Sequence, residues 1–356
     1  MMYDVIVVGA GPVGCKTAEL LGKEGIRVLV LEEHPEIGKP VQCAGLVSHR
    51  IFDLSEVSKD VVTNNVNKAR FYTSKNNYLE LKSKNDVYVI DRERFDKELS
   101  EKAKSSGVKI KTSTKFENHR NKESFLELKT TKGDFQTKLL VGTDSPNSTV
   151  ARTGELELPN NILVGLQTTV KSNFDVDVVE LWFSKEISPD FFGWVIPENE
   201  DWARIGLATS KNSMDYFKRF LRMRLDTKVK TRDDVYGVIR YGLIKKSVND
   251  RVLLAGDAAC QVKPFSGGGL IYGLMGARFA KESCMRCLKE NRYDSEFLEK
   301  NYDAVWKKKL ALPIRKGLIM NKLIHSLSVN KLNFLFNSIQ KGKLTKLLEF
   351  MDMDLL

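Results

Sequence analysis

The chain has 356 residues, 42% of them hydrophobic, which is enough for a sizeable core and two domains and argues against a disordered protein. Its five cysteines form no regular framework and no secretory signal precedes the first apolar segment, so we expect free thiols and a reducing, cytoplasmic setting. The net charge is +11, and no uninterrupted run of about eighteen apolar residues occurs, which argues against a spanning helix but leaves attachment to a membrane surface open.

The first segment predicts a dinucleotide-binding unit. A buried strand over residues 3–8 leads into Gly9, Gly11 and Gly14 in G-x-G-x-x-G spacing, and a helix and a second apolar strand over 28–31 follow. Gly9 permits the tight turn, Gly11 lets a pyrophosphate approach the backbone, and Gly14 lets helix and strand pack closely. The helix N-terminus attracts the phosphate charge.

Glu32 ends the second predicted strand. From there its carboxylate can accept hydrogen bonds from ribose hydroxyls, and its charge disfavours a 2′-phosphate at the same place. We therefore expect FAD or NAD as the bound dinucleotide rather than NADP. The alternative is an ordinary strand–turn–helix unit, but strand, glycines, helix, strand and acid in this order are much more specific than a lone glycine motif.

The segment 87–110 fits the same plan. It predicts a strand ending near Asp91, a helix from about Glu93 whose Phe95 and Leu99 recur at helical spacing, and then another strand. Such a strand–helix–strand succession continues an α/β unit.

Two later segments each predict a strand that ends in a loop with an acidic residue. Residues 139–154 give a strand, a loop and a helix start, and residues 251–282 give a strand, the turn Gly256-Asp257, a glycine-rich loop and a helix of small residues. A strand ending in Gly-Asp can hold a carboxylate against ribityl hydroxyls, and the loop and helix N-terminus that follow can face a phosphate or a flavin ring.

At these motifs the sequence resembles the FAD-dependent family of p-hydroxybenzoate hydroxylase type. The resemblance rests on the N-terminal fingerprint, on Asp144 in the middle motif and on Gly256-Asp257. It departs at one position, because Ser145 stands where the family usually has glycine. The resemblance implies FAD as the cofactor, held without a covalent bond.

The family also places an arginine beside the flavin, just before the helix that is predicted from about Glu93, and Arg92 is the matching position. Alternatively, Arg92 is a solvated arginine at the helix cap, a role that suits Arg94 better. The motifs and the resemblance together imply a set of cofactor-binding residues, namely Gly9, Gly11, Pro12, Gly14, Glu32, Glu33, Cys43, Ala44, Gly45, Arg92, Asp144, Gly256, Asp257, Gly268, Gly269 and Leu270.

The segment 155–248 has a different character. Its stretch FFGWVIPENEDWARIGLATS consists of two apolar and aromatic runs separated by ENED, which predicts a β-hairpin. A sheet built from such hairpins can form one wall of a substrate pocket above a flavin. The candidate substrate-binding residues are Phe192, Trp194 and Pro197, beside Phe191. Alternatively, these side chains fill the core of the sheet.

The pattern F-x-W-x-x-P here resembles the aromatic-x-Trp-x-Phe-Pro signature of geranylgeranyl reductases, with Ile196 in place of the phenylalanine. Together with the C-x-G of Cys43 and Gly45, it narrows the resemblance to the archaeal branch, the digeranylgeranylglycerophospholipid reductases. This resemblance implies saturation of double bonds in isoprenoid chains, including those on glycerophospholipids.

Cys43 is the candidate catalytic residue. In flavoproteins of this plan the loop after the second strand passes near the isoalloxazine ring, so the thiol could donate a proton to the substrate or shape its pocket. Packing is the alternative for Cys43 and our first expectation for Cys15, Cys260 and the pair Cys284 and Cys287. The few histidines share no metal-ligand spacing, so we expect no metal.

A single dinucleotide fingerprint indicates that the electron donor, ferredoxin or NAD(P)H, docks transiently. The cofactor would carry the hydride, while the protein orients the prenyl chain in an apolar tunnel, excludes water and supplies a proton. Three alternatives stay open: a monooxygenase of the same fold, an electron-transfer flavoprotein dehydrogenase, and a non-catalytic flavin- or lipid-binding module. We expect no nucleic-acid partner.

The predicted fold class is α/β, or α+β overall. A discontinuous Rossmann-like FAD-binding domain (1–154 and 249–290) is expected to enclose an antiparallel-sheet substrate domain (155–248), followed by a basic helical region (291–356).

The positive charge is concentrated near the C-terminus. Residues 306–348, from Trp306 to Leu348, hold ten Lys and Arg and no Asp or Glu, and the rest of the chain is nearly neutral. We expect amphipathic helices here and hypothesise peripheral attachment to the inner face of the cell membrane, since anionic headgroups attract a basic surface. A solvated basic face over ordinary core packing is the alternative.

Overall fold

The computed structural model describes residues 2–225 and 229–341, with the side chain of Lys341 left aside, and is built on two eight-stranded sheets. The first sheet contains β1 (Met2–Val8), β2 (Val28–Leu31), β6 (Lys109–Lys111), β7 (Phe116–Asn121), β8 (Leu126–Thr130), β9 (Gly133–Gly142), β15 (Val248–Asn249) and β16 (Val252–Leu254). The second sheet contains β3 (Leu46–Ser48), β4 (Val62–Ser74), β5 (Asn77–Ile90), β10 (Asn161–Lys171), β11 (Val178–Trp182), β12 (Gly193–Pro197), β13 (Trp202–Thr209) and β14 (Thr231–Tyr241).

The described helices surround these sheets. They are α1 (Pro12–Lys23), α2 (Arg50–Ser55), α3 (Arg92–Ser105), α4 (Thr149–Thr153), α5 (Ser213–Arg224), α6 (Leu270–Glu290), α7 (Ser295–Leu298), α8 (Ala304–Ser326) and α9 (Val329–Lys341). None of the helices in the described part of the chain is both long and apolar enough to traverse a bilayer.

The centre of the first sheet is parallel, in the order β16-β9-β1-β2-β6. Strands β1 and β2 are almost wholly buried because helices cover the sheet, and α1 packs against both α3 and α6. The carboxyl ends of β1, β9 and β16 therefore lie side by side, which brings the three predicted cofactor motifs to one edge of the sheet. This arrangement confirms the predicted α/β fold class.

The second sheet is mostly antiparallel and runs β14-β10-β13-β12-β11-β4-β5-β3. Strands β12 and β13 form the predicted hairpin, with Trp194 opposite Gly206. The sheet also includes β3, β4 and β5 from residues 46–90, which the sequence analysis assigned to the FAD-binding domain. That boundary is corrected here: β4 and β11 pair in parallel across a long stretch of sequence, and such a pairing leaves no local signal.

The C-terminal region is not a separate unit as far as it is described. Tyr302, Trp306 and Leu310 belong to the same buried core as the first sheet. Helix α8 then continues over the second sheet, and α9 packs on β4 and β5. Residues 342–348 of the predicted basic tail lie outside the described residues.

Candidate active site

The glycine motif between β1 and α1 has the shape that a dinucleotide requires. Gly9 has φ +99°, and a Cβ added there would lie 2.6 Å from the Thr143 carbonyl oxygen. A Cβ on Gly14 would collide with the Gly9 carbonyl, whereas one on Gly11 would meet no atom within 4 Å. Helix α1 begins at Pro12, which has no N–H to satisfy, and the Gly11 N-cap offers no side chain. The open face at Gly11 and the uncapped helix start fit a pyrophosphate.

Glu32 and Glu33 point in different directions. The carboxylate of Glu32 accepts hydrogen bonds from the backbone N–H of Ala10 (2.8 Å) and of His34 (2.9 Å), so it lies against the glycine motif. Glu33 is half-exposed and pairs with Lys115 at 3.1 Å. The structure therefore brings Glu32 to the nucleotide loop and directs Glu33 away from it.

The loop that carries Cys43 is held from the second sheet. The sulfur of Cys43 accepts a hydrogen bond from the Gly45 N–H at 3.4 Å. Gly45 has φ +72°, and a Cβ there would collide with the guanidinium of Arg204. Arg204, on β13, donates to the carbonyl oxygens of Ala44 (2.7 Å) and Ile90 (3.1 Å). Cys43, Ala44 and Gly45 are thus fixed by an arginine that the sequence analysis did not identify, because a single arginine in a strand gives no functional signal.

Arg92 and Cys43 meet at the start of α3. The helix begins at Arg92, close to the predicted start at about Glu93, and Asp91 caps it by accepting from the Arg94 N–H at 3.0 Å. The Arg92 guanidinium makes two 3.0 Å hydrogen bonds to Asp96 and also interacts electrostatically with Cys43. Burial opposes its charge, but Asp96 and Cys43 outweigh that effect and raise the pKa of Arg92.

The two arginines differ in exposure. Arg92 is 11% exposed, whereas Arg94 is exposed to solvent, as expected for a helix-cap arginine.

Asp257 lies in a concave part of the site. Its side chain is exposed, yet desolvation by the surrounding protein raises the pKa of its carboxyl, with Arg92 acting in the opposite direction. The two observations together describe a carboxylate at the bottom of a cleft rather than on a convex surface. Because Arg92 influences both Cys43 and Asp257, the structure brings together three residues from distant segments.

The glycine-rich loop closes around Asp257. Gly256 has φ +66° and packs on Val13, and a Cβ on Gly269 would lie 2.5 Å from the Asp257 carboxylate. Helix α6 begins at Leu270 with no side-chain cap, so its first N–H groups and the positive end of its dipole are available for a ligand. Gly268 accepts a backbone hydrogen bond from Lys263 within the loop (3.1 Å). These groups fit a flavin or a phosphate.

Asp144 is engaged with its own segment. Its carboxylate accepts from the Ser148 hydroxyl (2.6 Å) and the Val150 N–H (3.0 Å), which order the start of α4. Burial raises the pKa of Asp144, and these hydrogen bonds oppose the rise. Ser145 has φ +81°, a left-handed conformation that favours glycine, and this explains why the related family has glycine at that position.

An aromatic cluster, defined as Phe183, Phe191, Phe192, Trp194 and Phe265, lies on the second sheet. Its rings form a continuous series with centroids 4.2 to 6.2 Å apart. Phe192 is buried, whereas Trp194 is half-buried and its indole N–H donates to Gln167 at 2.9 Å. Phe265 comes from the glycine-rich loop, so the cluster touches the cofactor side of the molecule.

The cluster and the Cys43 loop are neighbours. Trp194 and Ala44 pack on one apolar cluster that includes Ile196, and Trp194 also packs on Phe192. Gly206 provides the space for the Trp194 ring, since a Cβ there would lie 2.6 Å from it. Pro197 ends β12, and its carbonyl accepts from Asn64 (2.9 Å). The structure thus places Phe192 and Trp194 beside the site and Pro197 at the far end of the strand.

The remaining cysteines are packing residues, as expected. Cys15, Cys260, Cys284 and Cys287 are buried, whereas Cys43 retains intermediate exposure. Desolvation raises the pKa of Cys260 to about 12 and that of Cys287 to about 12, which keeps both as thiols.

The matching family model is the FAD binding domain, which covers residues 2–279. The chain belongs to this FAD-binding family. It is 35% identical to an uncharacterised protein of Methanocaldococcus jannaschii, over 96% of this chain and 89% of the relative. It is 28% identical to the digeranylgeranylglycerophospholipid reductase of Methanococcus vannielii, over 96% of this chain and 91% of the relative.

Among solved structures, a geranylgeranyl bacteriochlorophyll reductase-like protein of Thermoplasma acidophilum superposes with a TM-score of 0.86 at 24% identity, covering 95% of this chain and 91% of that one. The fold is therefore shared with that protein. Together the comparisons confirm the predicted family resemblance and establish the protein as an FAD-dependent oxidoreductase.

Proposed function

We propose that the protein is a prenyl reductase that saturates carbon–carbon double bonds of geranylgeranyl chains on a membrane-lipid precursor. One observation carries the proposal: Cys43, the one cysteine of the five that retains intermediate exposure, interacts electrostatically with Arg92, and its neighbour Ala44 packs on the same apolar cluster as Trp194. An unactivated alkene needs an apolar chamber and a proton donor rather than an anchor for a polar ring.

When bound and reduced, FAD would supply the hydride, and the residues that would hold its phosphates and flavin are the Gly11 face, Glu32, Asp257 and the start of α6 at Leu270. Gly11 and Leu270 present uncapped helix N-termini toward negative charge. Asp257 and Glu32 present carboxylates suited to hydroxyl groups. The chain thus orients the cofactor mainly through backbone groups and two acids.

Cys43 supplies the proton in this proposal. Its thiol gives a proton to the alkene carbon opposite the one that receives the hydride, and solvent later reprotonates the sulfur. The negative charge left on Sγ is stabilised by the Gly45 N–H, which already donates to the sulfur, and by the positive charge of Arg92. Arg204 keeps the loop in place during this cycle through its bonds to the carbonyls of Ala44 and Ile90.

The aromatic cluster orients the prenyl chain and excludes water. Phe192 and Trp194 present a ring edge to a ring face, at 6.2 Å and 73°. Such faces bind an isoprenoid chain without polar contacts and stabilise positive charge that develops when the alkene is protonated. Gln167 fixes the Trp194 indole, so the chamber keeps its shape.

The donor that reduces FAD again, ferredoxin or NAD(P)H, docks transiently, and the enzyme works at the inner face of the cell membrane, where its lipid substrate lies. This location is supported by the basic composition of residues 306–348.

The test is a single turnover without oxygen. The bound flavin is photoreduced, the holoenzyme is mixed with a geranylgeranyl glycerophospholipid, and flavin reoxidation is followed by absorbance. A reductase reoxidises the flavin in step with a mass gain of one molecule of hydrogen per saturated bond. A flavin that stays reduced until oxygen is admitted, with oxygen then incorporated into the lipid, would instead identify a monooxygenase.

A further inference from the structure

Helix α8 has two apolar faces. Its inner face carries Trp306, Leu310 and Ile314, which are buried in the protein core. Its outer face carries a second apolar series, here called the outer ridge, which consists of Val305, Leu312, Ile319 and Leu323 with exposed fractions of 40%, 60%, 60% and 58%. At about 100° per residue, the outer ridge occupies a strip only about 40° wide, opposite the buried face. An ordinary solvated helix has polar residues there.

Exposed cations border the outer ridge on both sides. Lys309 and Lys316 lie on one side of it, and Lys308, Arg315 and Lys322 lie on the other. Residues 304–341 contain no Asp or Glu, so this surface carries uncompensated positive charge. An apolar strip flanked by long cationic side chains is the pattern of a helix that lies in a lipid headgroup layer, because the side chains can reach phosphates while the ridge enters the acyl boundary.

The next helix also exposes an apolar side chain and a cation. On α9, Phe334 is 75% exposed and Lys331 is also exposed. The neighbouring Asn333 accepts hydrogen bonds from the side chains of Thr73 and Asn77 on the second sheet, so α9 is anchored while its aromatic side chain faces outward. An exposed phenylalanine on an anchored basic helix fits the same membrane layer.

The inner side of α8 connects this surface to the site. Ile324 packs on the aromatic cluster. Asn321 donates to the Pro264 carbonyl at 3.0 Å, and Gly317 is so close to Pro264 that an added Cβ would lie 2.9 Å from its ring. A single helix therefore separates the outer surface from the aromatic cluster and the glycine-rich loop.

We propose that α8 lies flat on an anionic bilayer, with its outer ridge in the acyl boundary and its flanking cations on the lipid phosphates. The ridge extends about 27 Å along the helix, which is long enough to orient the whole protein on the surface. The occupant is an anionic lipid surface rather than a second copy of this chain because positive charge flanks the ridge on both sides, and a second copy would bring like charge against it. The inference rests on the proposed function, since a substrate with lipid tails must be taken from a membrane.

The test uses the full-length holoenzyme and vesicles of phosphatidylglycerol with phosphatidylcholine, compared with phosphatidylcholine alone. The ridge variant combines Leu312→Gln with Ile319→Gln, and the charge variant combines Lys309→Glu with Lys316→Glu. The matched control combines Met214→Gln with Lys218→Glu, which changes an exposed apolar residue and an exposed lysine on another basic helix, α5. Flavin content and thermal unfolding confirm that each variant is folded.

The ridge variant should lower the partition coefficient on anionic vesicles about 100-fold, at a factor of about ten for each apolar side chain. The charge variant should lower it about 30-fold or more, and about 1 M salt should lower wild-type binding strongly. The control should bind like the wild type. Equal binding of ridge variant and control would overturn the proposal, as would a wild-type dimer that dissociates only in the ridge variant.

A second readout separates this proposal from the function. In detergent solution the ridge variant should reduce a dispersed prenyl lipid at the wild-type rate, because its site is intact. A protein that binds anionic vesicles through the ridge but never reduces a prenyl lipid would support the docking surface and refute the proposed function. Loss of detergent activity in the ridge variant alone would show that the ridge shapes the site and would overturn its assignment as a docking surface.

Discussion

Replacing Glu32 by Ala should weaken FAD binding far more than replacing its neighbour Glu33. The Glu32 carboxylate is 12% exposed and holds the Ala10 N–H within the glycine motif at 2.8 Å. Glu33 is 50% exposed, and its partner is Lys115. The two adjacent acids have the same charge and length, so they form a matched pair that differs in the direction and burial of the side chain.

The structure sets the expected magnitudes. A hydrogen bond to a charged group contributes about 1.5–3 kcal/mol, and Glu32→Ala removes the bonds from the Ala10 and His34 N–H groups together with any bond to the ribose. The FAD dissociation constant should therefore rise about 10- to 100-fold. The unpaired Ala10 N–H should also lower the stability of the apoprotein by about 1–3 kcal/mol. Glu33→Ala removes only an exposed ion pair and should change either quantity by less than about 1 kcal/mol.

The assay is titration of apoprotein with FAD, followed by quenching of flavin fluorescence, with thermal unfolding measured in parallel. Glu32→Gln keeps an acceptor oxygen without the charge and should fall between the wild type and Glu32→Ala. Equal dissociation constants for Glu32→Ala and Glu33→Ala would refute the reasoning, because the orientation of the two side chains would then have no bearing on the cofactor.

Four further changes test other parts of the site. Cys43→Ser should retain FAD but slow prenyl reduction at least tenfold or change the number of bonds saturated, as measured by single-turnover absorbance and product mass. The buried-cysteine control Cys287→Ala should leave the rate and the product unchanged. Wild-type rates and products in Cys43→Ser would show that this thiol is only a packing residue. Trp194→Ala should impair turnover of long prenyl chains more than FAD affinity, and unfolding of that variant in urea would show instead that the ring is core. Burial lowers the pKa of His325 from 6.5 to about 4, so between these pH values the unfolded chain binds a proton that the folded protein does not. The free energy of unfolding should therefore fall by up to about 3 kcal/mol as the pH drops from 6.5 to 4. In His325→Phe this part of the pH dependence should be absent from urea titrations. Ser145→Gly should stabilise the protein by about 1 kcal/mol by relieving a left-handed serine, and a lower urea midpoint would contradict the conformational argument.

Local sequence signals predicted the cofactor side of the molecule well. The glycine motif, the strands on either side of it, and the Gly256-Asp257 turn are specified by residues close together in the chain, so pattern and turn chemistry suffice. The start of α3 at Arg92 agrees with the predicted start at about Glu93, because the strand end at Asp91 and the apolar spacing that follows are both local signals.

The substrate side depends on contacts between distant residues. The strands within residues 46–90 belong to the second sheet, although nothing in their alternation of apolar and polar residues indicates which of the two sheets they join. Arg204 reaches Ala44 and Ile90 across 160 and 114 residues of sequence. His325 is similar: it stacks on Phe183 and has a buried Nε2 without a protein partner, and neither property follows from its position in a basic helix.

Two arginines of the second sheet hold loops that come from the FAD-binding side of the molecule. Arg204 holds the Cys43 loop, and Arg240 on β14 donates to the carbonyl oxygens of Pro146 (2.8 Å) and Pro159 (2.6 Å) and to the Asn147 side chain (2.9 Å). Each guanidinium makes its bonds in a fixed plane, which the rotating ammonium of a lysine could not do. The loops at Ala44 and at Pro146 are therefore fixed to the sheet that carries the aromatic cluster. Because the second sheet carries both Arg204 and the aromatic cluster, the Cys43 loop and the aromatic rings are held by one element.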